Sequence, residues 1–541
     1  MTTDQLAGHS TGHSTGHSTG RLTGEASGTS RRRVLLGGAA VASTAALGAT
    51  LLDSAASAAR YDVRSYPKTT IPTVAELHMM NRMGCGFSRS TMAQMNAAGG
   101  AESWFEQQLD YQSVPENTMT NSLLGWFPEL TGSAELKWQR KGARGAHEHA
   151  LDLANYTMLR RMYSSRPVRE MMVDFWSNHL HIPTRADRAW VQRFHYDELI
   201  REHAFGRFED MLVEATLHPS MLIFLDNFKS VRDAPNENHG RELLELHTVG
   251  RTSGYSEDMV KHSARILSGY TVDENGTWAD TYNTSQHTTG AVQVLDFIRP
   301  NVSSDGAEMT KEYLRFLANH PATARTIANK LALRFVSDDP SDELVTHLAQ
   351  VFRDSGTDIK TTLRALVAHP EFEASAGKKV RTPVEDLIAT ARVLRTKAKA
   401  PTSGAAFAHC ISYVHQGMIL YQWPRPDGQP DRNSAWSSAT RVLGSFRMHW
   451  MITGGYYPKG DVKYKKPGFW LPEKTIRFDV YVDHLCRTFH GRRSTPQMLK
   501  AAVEATGLTP STVLTKRHRI TGYMGIRLIG ALLDTPAHMS R

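Results

Sequence analysis

The stretch "PNENHGRELLELHTVG", residues 235–250, gathers Glu237, Asn238, Arg241, Glu242, Glu245 and His247 in one turn and one helix. Carboxylates at that density suit two chemistries. One is proton transfer by a carboxyl whose pKa its neighbours shift. The other is ligation of a divalent metal, hard cations favouring the carboxylates and zinc or iron the histidines. Wound at about 100° per residue, Asn238, Arg241, Glu242, Glu245 and Thr248 fall on one arc. His239, Leu243, Leu244, Leu246 and His247 fall on the other. Arg241 and Glu245, four apart, are placed to pair, and His247 among leucines reads first as a core histidine bonded to a carbonyl or carboxylate. A helix begun by Pro167 repeats the design: Glu170, Asp174, Ser177, Asn178 and His181 fall together, with Met172, Phe175, Trp176 and His179 opposite. If the two polar faces meet, they form a buried or cleft-lining network, and buried charges need partners, a metal or a task.

The elements that must position these groups are helical. From Thr73 onward, stretches such as "TVAELHMMNRMGCGFS", "HALDLANYTMLRRMYSS" and "DELVTHLAQVFRDSG" place apolar residues three and four apart, and two-residue alternation is scarce. The spacing predicts a mainly α, multi-helix globular domain. Residues 275–306 lose that period and turn rich in Gly, Thr, Ser and Asn, which predicts a long irregular or small-β insertion. Beyond Pro401 the chain becomes aromatic and irregular before closing in two or three helices. The expected division is a leader at 1–58, a linker at 59–72, a helical core at 73–400 and, at 401–541, the C-terminal part of the same unit.

Paired arginines at Arg31-Arg32-Arg33 precede the weakly apolar run "VLLGGAAVASTAALGATLL" and an Ala56-Ser57-Ala58 cleavage site. This resembles a twin-arginine signal peptide, which implies the twin-arginine translocation machinery as a partner and a secreted or cell-envelope location. The Gly- and Ala-rich run makes a poor membrane span, and no other stretch has the length and apolarity of one, although retention of the leader as an anchor is the alternative to cleavage. His9, His13 and His17 recur in "HSTGHSTGHSTG", a tract too polar to bury anything. The leader holds four of the 63 Lys and Arg residues and three of the 54 Asp and Glu, so the remainder keeps a net charge of +8 against +9 for the whole chain. That modest, spread-out basic balance excludes a concentrated nucleic-acid-binding helix and is compatible with an anionic cell wall. Three cysteines, Cys85, Cys410 and Cys486, match no metal motif and allow at most one internal bridge.

The blocks "FWSNHLHI", "HPSMLIFLDN", "NENHGRELLELHTVG", "GYSEDMVKHSARILSGYT", "HPATARTIANKLALRFVSDDP" and "LVAHPEFEASAGKKVRTPVEDLIATARVL" resemble, in order, those of the bacterial domain-of-unknown-function family numbered 1800, with "WPRPDGQPDRNSAWSS" similar to its closing block. The resemblance implies export and no settled activity. It also implies a co-exported partner from a family resembling sulfatases and alkaline phosphatases. Its emphasised positions fall on Trp176, Asn178, His179, Asp226, Asn227, Asn236, Glu237, Asn238, Arg241, Glu242, Glu245, His247 and, in a later block, His287. Gly240 departs from the family, which commonly has Ala or another residue there.

Outside the leader repeat "HSTGHSTGHSTG" no Gly-x-Ser-x-Gly elbow occurs, and no His-Glu-x-x-His helix or phosphate-cradling loop occurs, so no motif nominates a nucleophile. Two readings follow. In the first, an extracytoplasmic enzyme or metal-binding protein uses Glu237, Glu242, Glu245, Arg241 and His247 catalytically. It holds a divalent metal with His179, Glu242, His247 and His287, and Trp176, Asn178, Asp226, Asn227, Asn236 and Asn238 form the supporting polar network. In the second, a non-catalytic secreted scaffold or partner of another exported protein binds cell-wall or extracellular polysaccharide through Trp423, Trp436, Tyr456, Tyr457 and Trp470 beside Lys463, Lys465 and Lys466.

Overall fold

Proline or a capping side chain starts most helices. Thr73 and Glu76, and again Thr382 and Glu385, close reciprocal capping boxes, while Pro167, Pro321 and Pro383 occupy first-turn positions where a missing N–H costs nothing. The computed structural model describes residues 61–139, 142–400, 407 and 419–541; the expected leader, its histidine repeat and Cys410 lie outside the described residues. The helices that frame the polar core are α1 (Gly142–Tyr163), α2 (Pro167–His179), α3 (Arg193–His203), α4 (Glu237–Glu242), α5 (Glu257–Leu267), α6 (Pro321–Phe335), α7 (Pro383–Val393), α8 (Ala439–Gly454), α9 (Phe478–Phe489), α10 (Tyr523–Leu533) and α11 (Pro536–Met539). The fold is mainly α, as the helical spacing predicts.

The insertion at 275–306 supplies most of two antiparallel hairpins, β1 (Tyr270–Val272) with β2 (Asp280–Tyr282) and β3 (Val292–Val294) with β4 (Phe297–Arg299). Tyr270, Val272, Val292, Val294 and Phe297 turn inward, so the insertion is anchored to the core and not merely solvated. Residues Tyr61–Arg541 form one unit around a hydrophobic core that runs from Tyr66 to Leu533. Two ties join its late residues to the earlier helices. A short ladder pairs β5 (Lys397–Ala398) with β6 (Val462–Lys463), and Lys379 and Arg541 exchange backbone hydrogen bonds of 3.3 and 2.7 Å. The stretch expected as a linker is docked as well: the Tyr66 N–H donates to Asp483 at 2.6 Å, and Arg487 donates to the Ser65 hydroxyl at 2.7 Å, both from α9.

The helix predicted over 238–248 is α only to Glu242, and Leu243–His247 forms a π-helical turn. A π turn holds more residues per turn, so each advances by less than the α-helical angle and the 100° wheel fails beyond Glu242. Gly240 is where α4 touches α5. A β-carbon there would stand 2.8 Å from the Ala264 nitrogen and 3.1 Å from the Val260 oxygen, both backbone atoms. Gly240→Ala is therefore expected to cost about 1–3 kcal/mol by overpacking, read as a lower urea midpoint. An unchanged midpoint would mean the two helices separate freely.

Candidate functional site

The predicted stripe does not converge on one point. Asn236 caps α4, its side-chain oxygen accepting the Asn238 N–H at 2.9 Å, and Asn238 itself is exposed. Arg241 pairs with Glu257 at 2.7 Å and Glu237 at 3.4 Å, not with Glu245, which the π turn carries round to Arg251. Glu242 is half-buried, and burial together with Glu245 raises its pKa. Asp226 adopts a left-handed conformation and pairs with Lys229, while Asn227 is buried and donates to the Leu267 and Tyr270 carbonyls, fixing the start of β1.

Of the expected metal ligands, His179 and His247 come together, with ring centroids 6.4 Å apart. His179 is spent on hydrogen bonds. Its Nε2–H donates to the His247 carbonyl at 3.1 Å, and its Nδ1 accepts from the Lys330 ammonium at 2.8 Å. Burial pushes His179 well below the usual histidine pKa and Lys330 down to about 8. His247 is neutral for the same reason, and both its ring nitrogens lack hydrogen-bond partners among the described residues. His287 lies apart, against the Ser268 carbonyl at 2.9 Å and Asn301 at 2.8 Å. Trp176 is buried in the core and donates to the Ala204 carbonyl at 3.3 Å.

The polar face of α2 does meet a partner, but not α4. Asp174, Asn178 and His181 line an interior cavity with Arg334 of α6, Thr382 at the start of α7, and Gln429 and Asp431 of the closing block. Asn178 clasps that block through both ends of its amide: it accepts the Gln429 N–H at 2.7 Å and donates to the Gln429 carbonyl at 2.8 Å. Gly428 packs on the Asn178 carbonyl with a φ of 71°, so a side chain there is excluded on two grounds. Arg334 bonds Asp174 at 2.6 Å, Glu385 at 2.9 Å and Asp431 at 3.1 Å; Arg541 pairs with the same Glu385 oxygen at 2.8 Å, and Arg161 takes the other oxygen of Asp174 at 2.9 Å. The cavity holds about 30 Å³, space for about one water, and is too small for an organic substrate.

One residue along α7 the chemistry changes. Asp386, His449 and His538 each present a ligand atom within 4.8 Å of the others, and all three are buried. This is the group of metal-capable side chains that converges among the described residues. Asp386 Oδ1 lies 3.0 Å from His449 Nε2 and 3.7 Å from His538 Nε2. Asp534 accepts from His449 Nδ1 at 2.7 Å, which turns Nε2 toward Asp386. The Ser445 hydroxyl donates to the other Asp386 oxygen at 2.6 Å, and Thr390 reaches His538 Nε2 at 2.9 Å. Burial opposes charge on His449, yet Asp386 and Asp534 outweigh it and raise its pKa to about 9. Burial likewise opposes ionisation of Asp386, but His449 and Arg441 hold it well below the usual carboxylate range. Arg441, 3.5 Å from Asp386, competes with any added cation and is also anchored to the Arg381 carbonyl at 2.7 Å. A cleft of about 540 Å³ runs along α11, the short helix that carries His538, bounded by Asn81, Arg492, Pro536, Ala537 and Ser540.

Sequence reasoning missed Asp386, His449 and His538. The local signal at "TPVED" was the capping box of Thr382 and Glu385, which explains one acid and leaves Asp386 over in a helix whose other faces are buried. No spacing rule links it to a histidine 63 residues away.

No helix among the described residues is long and apolar enough to cross a membrane. No curated protein and no solved structure matches this chain. The family described as "Protein of unknown function (DUF1800)" matches residues 78–540, a span that takes in α1–α11, the cavity beneath the closing block and all three residues of the Asp386 centre. The chain therefore belongs to the DUF1800 family.

Proposed function

We propose that this chain is an extracytoplasmic metalloprotein whose divalent ion is held by Asp386, His449 and His538 and serves catalysis. The observation that carries the reading is the convergence of three buried ligand atoms within 4.8 Å. A carboxylate behind the first imidazole, Asp534 on His449 Nδ1, is the arrangement that orients a metal-binding histidine and makes it more basic. One carboxylate and two imidazoles suit zinc or iron better than magnesium or calcium, which prefer all-oxygen shells. Three protein ligands leave a position open, as catalytic sites do and closed structural sites do not. The cleft along α11 is lined by the neighbours of His538, Pro536, Ala537 and Ser540, and by none of the three ligands, so a substrate would reach the ion only past α11. Export through the twin-arginine route, which carries folded chains, suits a protein loaded with its ion before it leaves the cytoplasm.

The test is metal analysis by mass spectrometry of protein purified from its native export route, beside His538→Gln and Asp386→Asn. The expected result is about one zinc or iron per chain in the parent and loss of the ion from whichever variant keeps its circular-dichroism spectrum. If the parent carries no ion and takes up none from added zinc or ferrous iron, the reading fails. Asp386, His449 and Asp534 would then be a structural bridge of two carboxylates across one imidazolium.

A further inference from the structure

The β5–β6 ladder sets Lys397 directly opposite Lys463, both exposed. Like charges facing each other across two strands oppose the pairing, and four more cations crowd the same region. Arg395 and Lys399 flank Lys397 in sequence, and Lys465 and Lys466 follow Lys463; all are exposed. Among the described residues none of these six forms an ion pair with a carboxylate, and residues 401–418, which follow the ladder in sequence, contain no Asp or Glu. Asp461, beside the ladder, is buried, and its carbonyl accepts the Lys399 N–H at 2.7 Å.

Arg395, two residues before Lys397, lines a cleft of about 320 Å³ whose other walls include Lys68, Arg89, Phe469 and His484. Phe469 joins the two features. Its ring is 48% exposed, with the Lys465 ammonium 4.3 Å and the Arg395 guanidinium 5.9 Å from its centroid. Arg89 spends its guanidinium on the carbonyls of Thr70 and Arg487, and burial with Arg395 and Arg487 nearby lowers its pKa. Lys68 alone is neutralised, by Glu473 at 2.6 Å. Trp470, which the sequence offered as a stacking residue, is buried against Phe489, and the exposed ring is its neighbour Phe469.

We propose that the Lys397/Lys463 ladder and the Phe469 cleft form a binding site for an acidic polysaccharide, one whose sugars or linkages carry carboxylate or phosphate. The unpaired cations take the acid groups, and the Phe469 ring takes the apolar face of a sugar. A concave cleft with a single exposed ring does not suit a lipid surface, which calls for protruding apolar side chains, nor a nucleic-acid strand, which is tracked by a series of stacking rings. The site is independent of the Asp386 centre and stands whether or not that centre holds an ion.

The experiment is binding of the full chain to immobilised polygalacturonate and poly(glycerol phosphate). Dextran, phosphatidylglycerol-containing vesicles and oligo(dT) are run alongside. The expected result is binding to one or both acidic polymers and none to dextran, weakening as salt screens the charges. Binding to polygalacturonate identifies carboxylate as the group recognised, and binding to poly(glycerol phosphate) identifies phosphate. Lys397→Gln/Lys463→Gln/Lys465→Gln is expected to weaken it about tenfold or more, and Phe469→Ala to weaken polygalacturonate binding separately. All four residues are exposed, so the variants should keep the parent's melting temperature. The proposal is overturned by no binding to either acidic polymer, by equal binding to dextran, by tighter binding to the vesicles or oligo(dT), or by folded variants that bind like the parent.

Discussion

Arg334→Met is expected to lower the stability of the fold by about 3–5 kcal/mol, the cost of breaking a buried charge pair from one side. A single guanidinium serves three carboxylates from different parts of the chain: Asp174 on α2, Glu385 on α7 and Asp431 in the closing block. Without it, Asp174 keeps Arg161 and Glu385 keeps Arg541, but Asp431 has no other salt bridge among the described residues. Arg334→Lys retains the charge but not the planar fork that reaches three acceptors at once, and is expected to fall between, at about 1–3 kcal/mol. Arg325 is the control, since it pairs with Asp342 on the surface with both side chains more than half exposed. Arg325→Ala should cost under about 0.5 kcal/mol. Urea titrations with unchanged slopes and displaced midpoints would read all three. An Arg334→Met midpoint no lower than that of Arg325→Ala would show that the network contributes nothing the unfolded chain lacks.

The acid limb of the stability curve should depend on Glu170. Its carboxylate is buried and takes Arg201 at 2.8 and 2.9 Å and Arg160 at 3.1 Å. Burial raises its pKa, but Arg160 and Arg201 outweigh it and bring the group from the usual 4.5 to about 2. Because the folded value is the lower one, the unfolded chain binds the extra proton first as the pH falls. The stabilisation is fully present above about pH 4.5 and is lost between there and pH 2. At ~1.4 kcal/mol for each tenfold change in proton affinity, that interval carries on the order of 3 kcal/mol. Glu170→Gln should unfold more easily at pH 7 and show a flatter stability curve from pH 4.5 to 2. Parallel curves for parent and variant across that interval would mean that Glu170 titrates alike in both states.

The metal reading also reorders the importance of the histidines. His179, flanked by Phe175 and Trp176, and His287, in the long insertion, belong to the family resemblance, yet their rings bond carbonyls, a lysine and an amide and not a carboxylate, whereas His449 and His538 converge on Asp386. His449 and His538 drew no attention in the sequence, one lying in an ordinary amphipathic helix and the other near the last residue.

Much of the architecture was legible because it is local. Three- and four-residue spacing of apolar groups specifies helices, proline and capping residues mark where they begin, and the loss of that period at 275–306 marks the hairpins. The polar face of α2 was legible for the same reason, since Asp174, Asn178 and His181 share it by helical geometry alone. The stripe at 238–248 was misread past Glu242 because a π turn leaves no signature in residue types, and one altered turn was enough to send Glu245 to Arg251. What each polar face would meet was not legible at all. Asn178 finds Gln429 across 251 positions, and Asp386 finds His449 across 63, by the docking of helices and the closing block around a common hydrophobic core. By itself the sequence determined the helices and which side of each is polar, because those depend on neighbours within a turn or two. The tertiary structure alone decided which polar sides close into a salt-bridged network and which bring together a carboxylate and two imidazoles, because that pairing is set by packing the whole chain.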